Sequence, residues 1–249
     1  PCLDLGDYAE VLGGLHHLAI SMPPDRWAHV KAKLDDAGVG YDHIDVAACT
    51  ARSVLVTNTP GVVDGATGDF TWALILAACR RVVEADDYVR AGEWPTNPQP
   101  FLGQQVHGAT LGVLGFGRIG QAVARRAAGF DMTVLYHQPR RVAPEVESAC
   151  NASFVGRDEL LQRSDILTLH LPYGPDTHHA IGAREIALMK PTAVLVNAAR
   201  GGIVDEDALV TAMLGGHLMG AALDVFKQEP LPPTSPLLTV PNLIVSCHT

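Results

Sequence analysis

The 249-residue sequence has few cysteines, little positive charge and no long apolar run. It contains 18 lysines and arginines and 27 aspartates and glutamates, and the resulting formal net charge of −9 argues against a nucleic-acid backbone as the main partner. The five cysteines are scattered without a Cys-x-x-Cys pair, which predicts neither a disulfide framework nor a zinc site. The longest apolar candidate, residues 72–79, is far shorter than the roughly 20 residues that a membrane-spanning helix requires.

The first residues lack the basic head and the apolar core of a signal peptide. With the scattered cysteines, this predicts a reducing, cytoplasmic location and no membrane association. The adjacent histidines at 16–17 and 178–179 are interpreted as solvated turn residues, and without any His-x-x-x-His pair no metal ion is expected. The composition, 47% hydrophobic and only 18% charged, allows one large core or two modest ones.

Short apolar runs alternate with helical segments in the second half of the sequence. This alternation is typical of an α/β fold with a doubly wound parallel sheet, covered by helices on both faces. The predicted strands are residues 111–114, 133–136, 166–169, 193–196, 218–223 and 243–245, and the predicted helices are 121–130, 157–163 and 205–214.

The part before residue 110 is less regular. Residues 54–57 are predicted to form a strand, because they are β-branched or apolar and are followed by Asn-Thr-Pro-Gly. One long helix is predicted over residues 67–91, where apolar side chains recur at helical spacing up to Gly92. Residues 94–100 contain three prolines and are predicted to form an extended arm.

A glycine-rich loop, residues 115–120 with the sequence GFGRIG, stands between a predicted strand and a predicted helix. In this context Gly115 permits a tight turn, Gly117 lets the backbone approach a pyrophosphate, and Gly120 lets helix and strand pack closely. The helix N-terminus then offers unpaired N–H groups to the phosphates. The loop predicts a Rossmann-type domain of an NAD(P)-dependent oxidoreductase, and the alternative is an ordinary turn between strand and helix.

The residue after the second strand of such a domain is usually an acid that binds the ribose 2′-hydroxyl of NAD. Here Gln138 stands at that position, and Arg140 and Arg141 follow it. Because an arginine can pair with a 2′-phosphate that an acid would repel, the sequence favours NADP over NAD. The alternative is that both arginines are solvated loop charges.

Five blocks of sequence share the pattern of one family. They are GVGYDHID at 38–45, NTPG at 58–61, the glycine loop, NAARGGIVD at 197–205 and LDVFKQEP at 223–230. With these blocks the sequence resembles the D-isomer-specific 2-hydroxyacid dehydrogenases, particularly the branch of glyoxylate/hydroxypyruvate reductases and 2-ketogluconate reductases. The resemblance implies reduction of a small 2-oxo acid, such as glyoxylate, hydroxypyruvate or 2-ketogluconate, to the D-2-hydroxy acid with NAD(P)H.

The resemblance implies catalytic roles for Arg200, Glu229 and His248. The alkoxide that develops when hydride reaches the substrate carbonyl needs a proton, which a histidine can donate and take back. A carboxylate beside the imidazole orients the ring, and an arginine offers a planar fork to the substrate carboxylate. Singly, the three could be a loop arginine, a turn acid and a core histidine; within their matching blocks the functional interpretation is favoured.

Further binding roles follow from the same resemblance. It implies that the backbone N–H groups of Val39 and Gly40 bind the substrate carboxylate, and that Asp224 contacts the nicotinamide carboxamide. It also implies a homodimer, formed through residues 67–103. The remaining cofactor contacts that it implies are Arg118 and Ile119 beside the pyrophosphate, Pro172 on the adenosine side, and Ala198.

The resemblance also divides the sequence into domains. Residues 1–65 are expected to form part of a smaller, flavodoxin-like substrate-binding domain, incomplete because only 37 residues precede Gly38. Residues 66–247 are expected to form the dinucleotide-binding domain with the dimerisation helix and arm, and residues 248–249 to begin the return to the substrate domain. If the protein ends at Thr249, weak activity is expected.

Three alternatives remain open. The first is a dinucleotide-sensing binding protein on the same fold, like the corepressors that share it. The second is a truncated, inactive homologue. The third is formate oxidation on the same scaffold, and Glu229 argues against it because that family pairs its histidine with a glutamine.

Overall fold

The computed structural model describes residues 19–21, 54–56, 61–97 and 100–249. The chain divides into two compact units, residues 1–62 and 63–249. In the first unit, strand β1 (Ala19–Ser21) pairs antiparallel with β2 (Val54–Val56), with Ile20 opposite Leu55. The predicted strand at 54–57 is confirmed through Val56, and Thr57 lies outside the described residues.

The second unit is built on seven parallel strands. They are β3 (Thr110–Leu114), β4 (Thr133–His137), β5 (Ala152–Phe154), β6 (Ile166–Leu169), β7 (Val194–Asn197), β8 (Gly220–Leu223) and β9 (Leu243–Val245). Their order across the sheet is β5-β4-β3-β6-β7-β8-β9, and every neighbouring pair is parallel. The order reverses between β3 and β6, where doubly wound sheets open a ligand crevice at the carboxyl ends of their strands. The predicted Rossmann-type parallel sheet is confirmed.

Helices connect these strands and cover the sheet. They are α1 (Asp64–Arg80), α2 (Val82–Arg90), α3 (Arg118–Ala127), α4 (Pro144–Cys150), α5 (Arg157–Arg163), α6 (Ala183–Leu188) and α7 (Glu206–Leu214). The sequence prediction had α3, α5 and α7 and missed the shorter β5, α4 and α6. Within the described ranges, no helix is long and apolar enough to cross a membrane.

The core consists of two apolar layers, one on each face of the sheet. Successive residues of a strand point to opposite faces, so Leu195 belongs to one layer while its neighbours Val194 and Val196 belong to the other. Helices α5, α6 and α7 supply buried side chains to the first layer, and α1 and α3 to the second. This burial on both faces explains why the strands read as continuous apolar runs.

The single helix predicted over residues 67–91 is wrong, because two helices meet at Arg81. Arg81 has a left-handed backbone (φ 53°, ψ 41°) that ends α1 and precedes α2. Its guanidinium donates to the Glu84 carboxylate at 2.7 and 2.9 Å and lies 4.6 Å from the centre of the Phe101 ring. The periodicity did not reveal this break because both halves are helical and no glycine or proline marks the junction.

The extended arm predicted over residues 94–100 is wrong at its start. A turn lies there, in which the N–H and the hydroxyl of Thr96 both donate to the Glu93 carbonyl, at 3.1 and 2.6 Å. Residues 98 and 99 lie outside the described residues. The prolines indicated irregular backbone correctly, but they did not predict a turn closed by a threonine.

Candidate functional site

The glycine loop of residues 115–120 has the geometry that a dinucleotide-binding turn needs. Gly115 has φ +91°, and a Cβ there would lie 2.5 Å from the His170 carbonyl oxygen. A Cβ at Gly120 would lie 2.3 Å from the Gly115 carbonyl oxygen, whereas one at Gly117 would meet nothing within 4 Å. The loop is therefore closed tightly at its ends and open at its middle, where α3 begins without a side-chain cap. The residues present fit a pyrophosphate at this helix N-terminus.

Gln138 ties the glycine loop to the segment that follows β4. Its Oε1 accepts a hydrogen bond from the Phe116 N–H at 3.1 Å, and its Nε2 donates to the Arg140 carbonyl at 2.6 Å. Both ends of the amide are thus engaged at the position where NAD-binding domains usually have an acid.

The two arginines after Gln138 differ in their surroundings. Arg141 donates from Nε and Nη2 to both oxygens of Glu147, each at 2.8 Å, and the Tyr136 hydroxyl donates to the same carboxylate at 2.6 Å. The hydrogen bonds from Arg141, and then that from Tyr136, lower the pKa of Glu147 to about 2. Arg140 is exposed, and its side chain forms no ion pair with the part of the chain that the structure describes.

The other cofactor residues predicted near the loop lie along its rim. Arg118 is exposed and donates from Nε to the Asp64 carboxylate at 3.0 Å, which links α3 to the start of α1. Ile119 is partly buried, and Pro172 is exposed in the loop after β6. His170, in the same loop, shares a 2.9 Å hydrogen bond with the Thr168 hydroxyl, and desolvation by the surrounding protein lowers its pKa to about 4, which keeps the ring neutral.

Arg200 is carried by a turn that Asn197 shapes. Asn197 is the last residue of β7 and is fully buried. Its Oδ1 accepts from the Ala199 N–H at 3.1 Å, and its Nδ2 donates to the Arg200 carbonyl at 3.0 Å. The Arg200 guanidinium donates from Nη1 to the Ala199 carbonyl at 2.7 Å. Ala198 and Arg200 are both partly buried in this turn.

The Arg200 turn lies directly against the loop that carries Glu229. A Cβ at Gly201 would lie 1.9 Å from the carbonyl carbon of Phe226 and 2.5 Å from the Lys227 nitrogen, so only glycine fits. The Lys227 N–H donates to the buried carboxylate of Glu206 at 2.6 Å, and the Phe226 N–H donates to Glu229 at 2.9 Å. The two loops are thus held together by backbone contact, while Glu206 at the start of α7 holds the Glu229 loop and Glu229 closes that loop on itself.

Glu229 and His248 form a close pair. The Nδ1 atom of His248 lies 2.6 Å from Oε2 of Glu229, and the two side chains are 41% and 31% exposed. Because Glu229 engages Nδ1, the other ring nitrogen, Nε2, is the atom that can exchange a proton with a substrate.

Asp224 anchors the segment on which His248 lies. Its buried carboxylate accepts from the Ser246 hydroxyl at 2.6 Å and from the Thr249 N–H at 3.1 Å to each oxygen. The sequence suggested only a nicotinamide contact for Asp224, and it did not suggest this anchoring role. It also missed Asn197 and Glu206, which lie in or beside the matching blocks but were given no part.

Arg200, Glu229 and His248 follow β7, β8 and β9, whose parallel carboxyl ends meet at one edge of the sheet, the edge from which the glycine loop also leaves β3. Val39 and Gly40, predicted to bind substrate, lie outside the described residues. In the parts of the chain that are described, no group of three or more histidine, cysteine, aspartate or glutamate side chains could hold a metal ion.

The family described as "D-isomer specific 2-hydroxyacid dehydrogenase, NAD binding domain" matches residues 72–249. The chain is 49% identical over 215 residues to a glyoxylate reductase of Thermococcus gammatolerans, covering 84% of the chain and 64% of that protein. It is 48% identical over 212 residues to a glyoxylate/hydroxypyruvate reductase B of Citrobacter koseri, covering 84% and 65%.

A solved structure of a Thermus thermophilus protein is similar with a TM-score of 0.76 and 46% identity, covering 84% of this chain and 66% of that one. The chain spans slightly less than two thirds of the length of the two curated relatives.

Replacing Gly201 tests the contact between the Arg200 turn and the Glu229 loop. We expect Gly201→Ala to lower the free energy of unfolding by about 1–3 kcal/mol, because the new Cβ overlaps the Phe226–Lys227 peptide. Urea unfolding measures this change. The matched control is Gly129→Ala, where a Cβ meets nothing within 4 Å, and its effect should stay within about 0.5 kcal/mol. Equal stability of the two variants would contradict the close approach.

Proposed function

The chain belongs to the D-isomer specific 2-hydroxyacid dehydrogenase family, and on that premise we propose that it reduces a small 2-oxo acid to the D-2-hydroxy acid. The observation that carries the proposal is the 2.6 Å pair of His248 and Glu229 on loops packed against the Arg200 turn. The names of the two relatives, glyoxylate reductase and glyoxylate/hydroxypyruvate reductase B, support glyoxylate or hydroxypyruvate as the substrate class.

Each of the three side chains has a defined task in this reaction. A bound nicotinamide dinucleotide supplies the hydride for the carbonyl carbon. As the carbonyl electron pair moves onto oxygen, His248 donates the proton from Nε2 to that oxygen. Glu229 holds Nδ1, keeps the ring oriented and stabilises its protonated form. Arg200 binds the substrate carboxylate with its guanidinium.

The proposal also assigns a role to the start of the chain. Residues 1–65 form part of a flavodoxin-like substrate-binding domain, and the backbone N–H groups of Val39 and Gly40 bind the substrate carboxylate. Residues 66–247 form the dinucleotide-binding domain, and residues 248–249 lead back towards the substrate domain. The contact of Asp224 with the nicotinamide carboxamide belongs to the same proposal.

The reaction is tested by following oxidation of the reduced nicotinamide with a panel of 2-oxo acids. We expect Arg200→Ala to lower kcat/KM by roughly 10²-fold or more, because the substrate carboxylate loses its charged partner. We expect His248→Gln to lower kcat by roughly 10²–10⁴-fold, because no acid then protonates the alkoxide.

The matched control is Arg163→Ala, which removes an exposed arginine whose ion pair within the described residues is with Glu159, and it should keep the wild-type kcat/KM. A folded protein that binds the dinucleotide and turns over none of these acids would refute the proposed enzymatic activity. It would favour a dinucleotide-sensing protein on the same fold.

For the cofactor, we propose NADP rather than NAD, with Arg140 as the residue that binds the 2′-phosphate. The acid that would repel this phosphate is replaced by Gln138, whose amide is engaged by the glycine loop and by the backbone. Arg141 is neutralised by Glu147, whereas the exposed Arg140 forms no ion pair with the described residues. The sequence pattern treated the two arginines alike; their different surroundings support Arg140.

We expect Arg140→Ala to reduce the preference for NADPH over NADH by roughly 10-fold or more, since a hydrogen bond to a charged group contributes about 1.5–3 kcal/mol. The ratio of kcat/KM for the two cofactors measures this preference. The control is the double variant Arg141→Ala/Glu147→Gln, which removes a neutral pair and should change the ratio little. A wild-type preference for NADH, or a larger effect of the control, would contradict the proposal.

We propose a homodimer formed through α2 and the segment that follows it. Helix α2 has no buried residue, and Val83, Trp94 and Leu102 expose large apolar surfaces, with Leu102 at 83%. Several large exposed apolar side chains within one segment of the chain support an interface there.

Analytical ultracentrifugation tests this assembly. We expect the wild type to sediment as a dimer and the variant Val83→Lys/Leu102→Lys as a monomer, because two charges would be buried without partners. Leu214→Lys, at a side chain on α7 that is 64% exposed, is the control and should remain dimeric. A monomeric wild type, or a dimer of the double variant, would contradict this interface.

A further inference from the structure

The loop after β6 packs along the turn that carries Arg200. We call residues 172–181 the Tyr173 loop. Three backbone hydrogen bonds join it to the next segment: from His179 N–H to the Gly202 carbonyl (2.8 Å), from Ile181 N–H to Ile203 (3.0 Å), and from Asp205 N–H to Ile181 (2.9 Å). The Tyr173 loop therefore borders Gly202 and Ile203, the second and third residues after Arg200.

The ring of Tyr173 lies directly on Gly202. A Cβ at Gly202 would lie 2.4 Å from Cε2 and 2.8 Å from Cζ of the ring. Gly202 does not have a positive φ, so its backbone conformation does not require glycine. The requirement comes from the tyrosine ring, which occupies the space where any other side chain would begin.

Tyr173 is supported on its far side by the histidine pair that the sequence suggested was solvated. Its hydroxyl lies 3.0 Å from Nδ1 of His178, and the His178 ring stacks on His179 with 3.9 Å between centres. Nδ1 of His179 lies 3.8 Å from the carboxylate of Asp205, which caps α7 through the N–H groups of its second and third residues. A continuous series of contacts thus runs from Gly202 through the tyrosine and both histidines to the start of α7.

We propose that Tyr173 is a positioning residue, whose ring presses on Gly202 and holds the Arg200 turn in the orientation that binds the substrate carboxylate. The inference rests on the proposed role of Arg200. Asn197 holds this turn from the side of β7, and Tyr173 holds it from the opposite end, two residues past Arg200. Without the ring the turn gains freedom, and the guanidinium spends less time where a carboxylate can bind it.

The expected signature is a change in KM without a matching change in kcat. Arg200 binds a carboxylate that is present in both the ground state and the transition state, so its misplacement weakens binding uniformly. No hydrogen bond or ring contact among the described residues joins Tyr173 to His248 or to the glycine loop, and the proton transfer and the dinucleotide affinity should therefore persist.

The test compares Tyr173→Ala, Tyr173→Phe, Gly202→Ala and the double variant Tyr173→Ala/Gly202→Ala, with glyoxylate as the substrate. Tyr173→Ala should raise KM about tenfold and change kcat less than about threefold, since small misplacements of binding groups have large kinetic effects. Tyr173→Phe keeps the ring and should stay within about threefold of wild-type KM. Dinucleotide affinity, measured by its fluorescence, should not change in any variant.

The double variant tests whether the effects of the two substitutions arise from the contact between the Tyr173 ring and Gly202. Gly202→Ala alone should raise KM because its Cβ displaces the ring, whereas in Tyr173→Ala it meets no ring. The two effects should therefore be non-additive, with the double variant no worse than Tyr173→Ala. Additive effects, an unchanged KM in Tyr173→Ala, or a loss confined to kcat or to dinucleotide affinity would overturn the inference.

A readout independent of turnover keeps the two proposals distinguishable. Hydrogen exchange of the His179 and Ile181 amides, which bond to Gly202 and Ile203, should quicken in Tyr173→Ala. If the wild type turns over no 2-oxo acid, or Arg200→Ala has no effect, the proposed function fails. If turnover depends on Arg200 but neither KM nor exchange responds to Tyr173→Ala, this inference fails alone.

Discussion

The backbone of Gly201 lies against the peptide between Phe226 and Lys227 so closely that no side chain fits between them. This contact sets the separation of the turn that carries Arg200 from the loop that carries Glu229. The other side chains around it act on the same two loops: Asn197 shapes the first, and Glu206 receives the Lys227 N–H of the second. Arg200, Glu229 and His248 are partly exposed, whereas Asn197 and Glu206, which hold the Arg200 turn and the Glu229 loop, are buried. Buried polar groups therefore fix the positions of the loops that carry the partly exposed side chains.

Parallel strand order explains why residues far apart in sequence meet here. The glycine loop, the Arg200 turn, the Glu229 loop and the His248 segment each follow the carboxyl end of a different strand, and the parallel arrangement brings all four to one edge. Asp224, directly after β8, then binds the Ser246 hydroxyl directly after β9, so the two adjacent strands hold the segment with His248. The sheet brings the four segments to one edge, and hydrogen bonds between neighbouring segments orient their side chains.

Much of this arrangement could be predicted from the sequence, and the failures have physical reasons. Apolar runs with clear ends predicted six of the seven parallel strands, and helix α5 was predicted with its exact bounds, because local pattern and tertiary burial agree there. The break at Arg81 depends on contacts with Glu84 and Phe101, and periodicity does not show it. The blocks shared with the family indicated Arg200, Glu229 and His248 as candidate site residues. The roles of Asn197, Glu206 and Tyr173 depend on contacts with other segments, which a local sequence pattern does not show.

An acidic protein that binds an anionic dinucleotide needs a local region that attracts negative charge. The distribution of acidic residues at the helix N-termini indicates where this region lies. Six of the seven described α-helices have an acidic residue in the first turn, where it complements the helix dipole. The exception is α3, which has none, lacks a side-chain cap and begins at Arg118 directly after the open Gly117. No acidic residue of α3 itself therefore offsets the N–H groups and the partial positive charge at its start. The net charge of −9 describes the whole surface, whereas the start of α3 is a local place that favours an anion and that the open Gly117 leaves accessible.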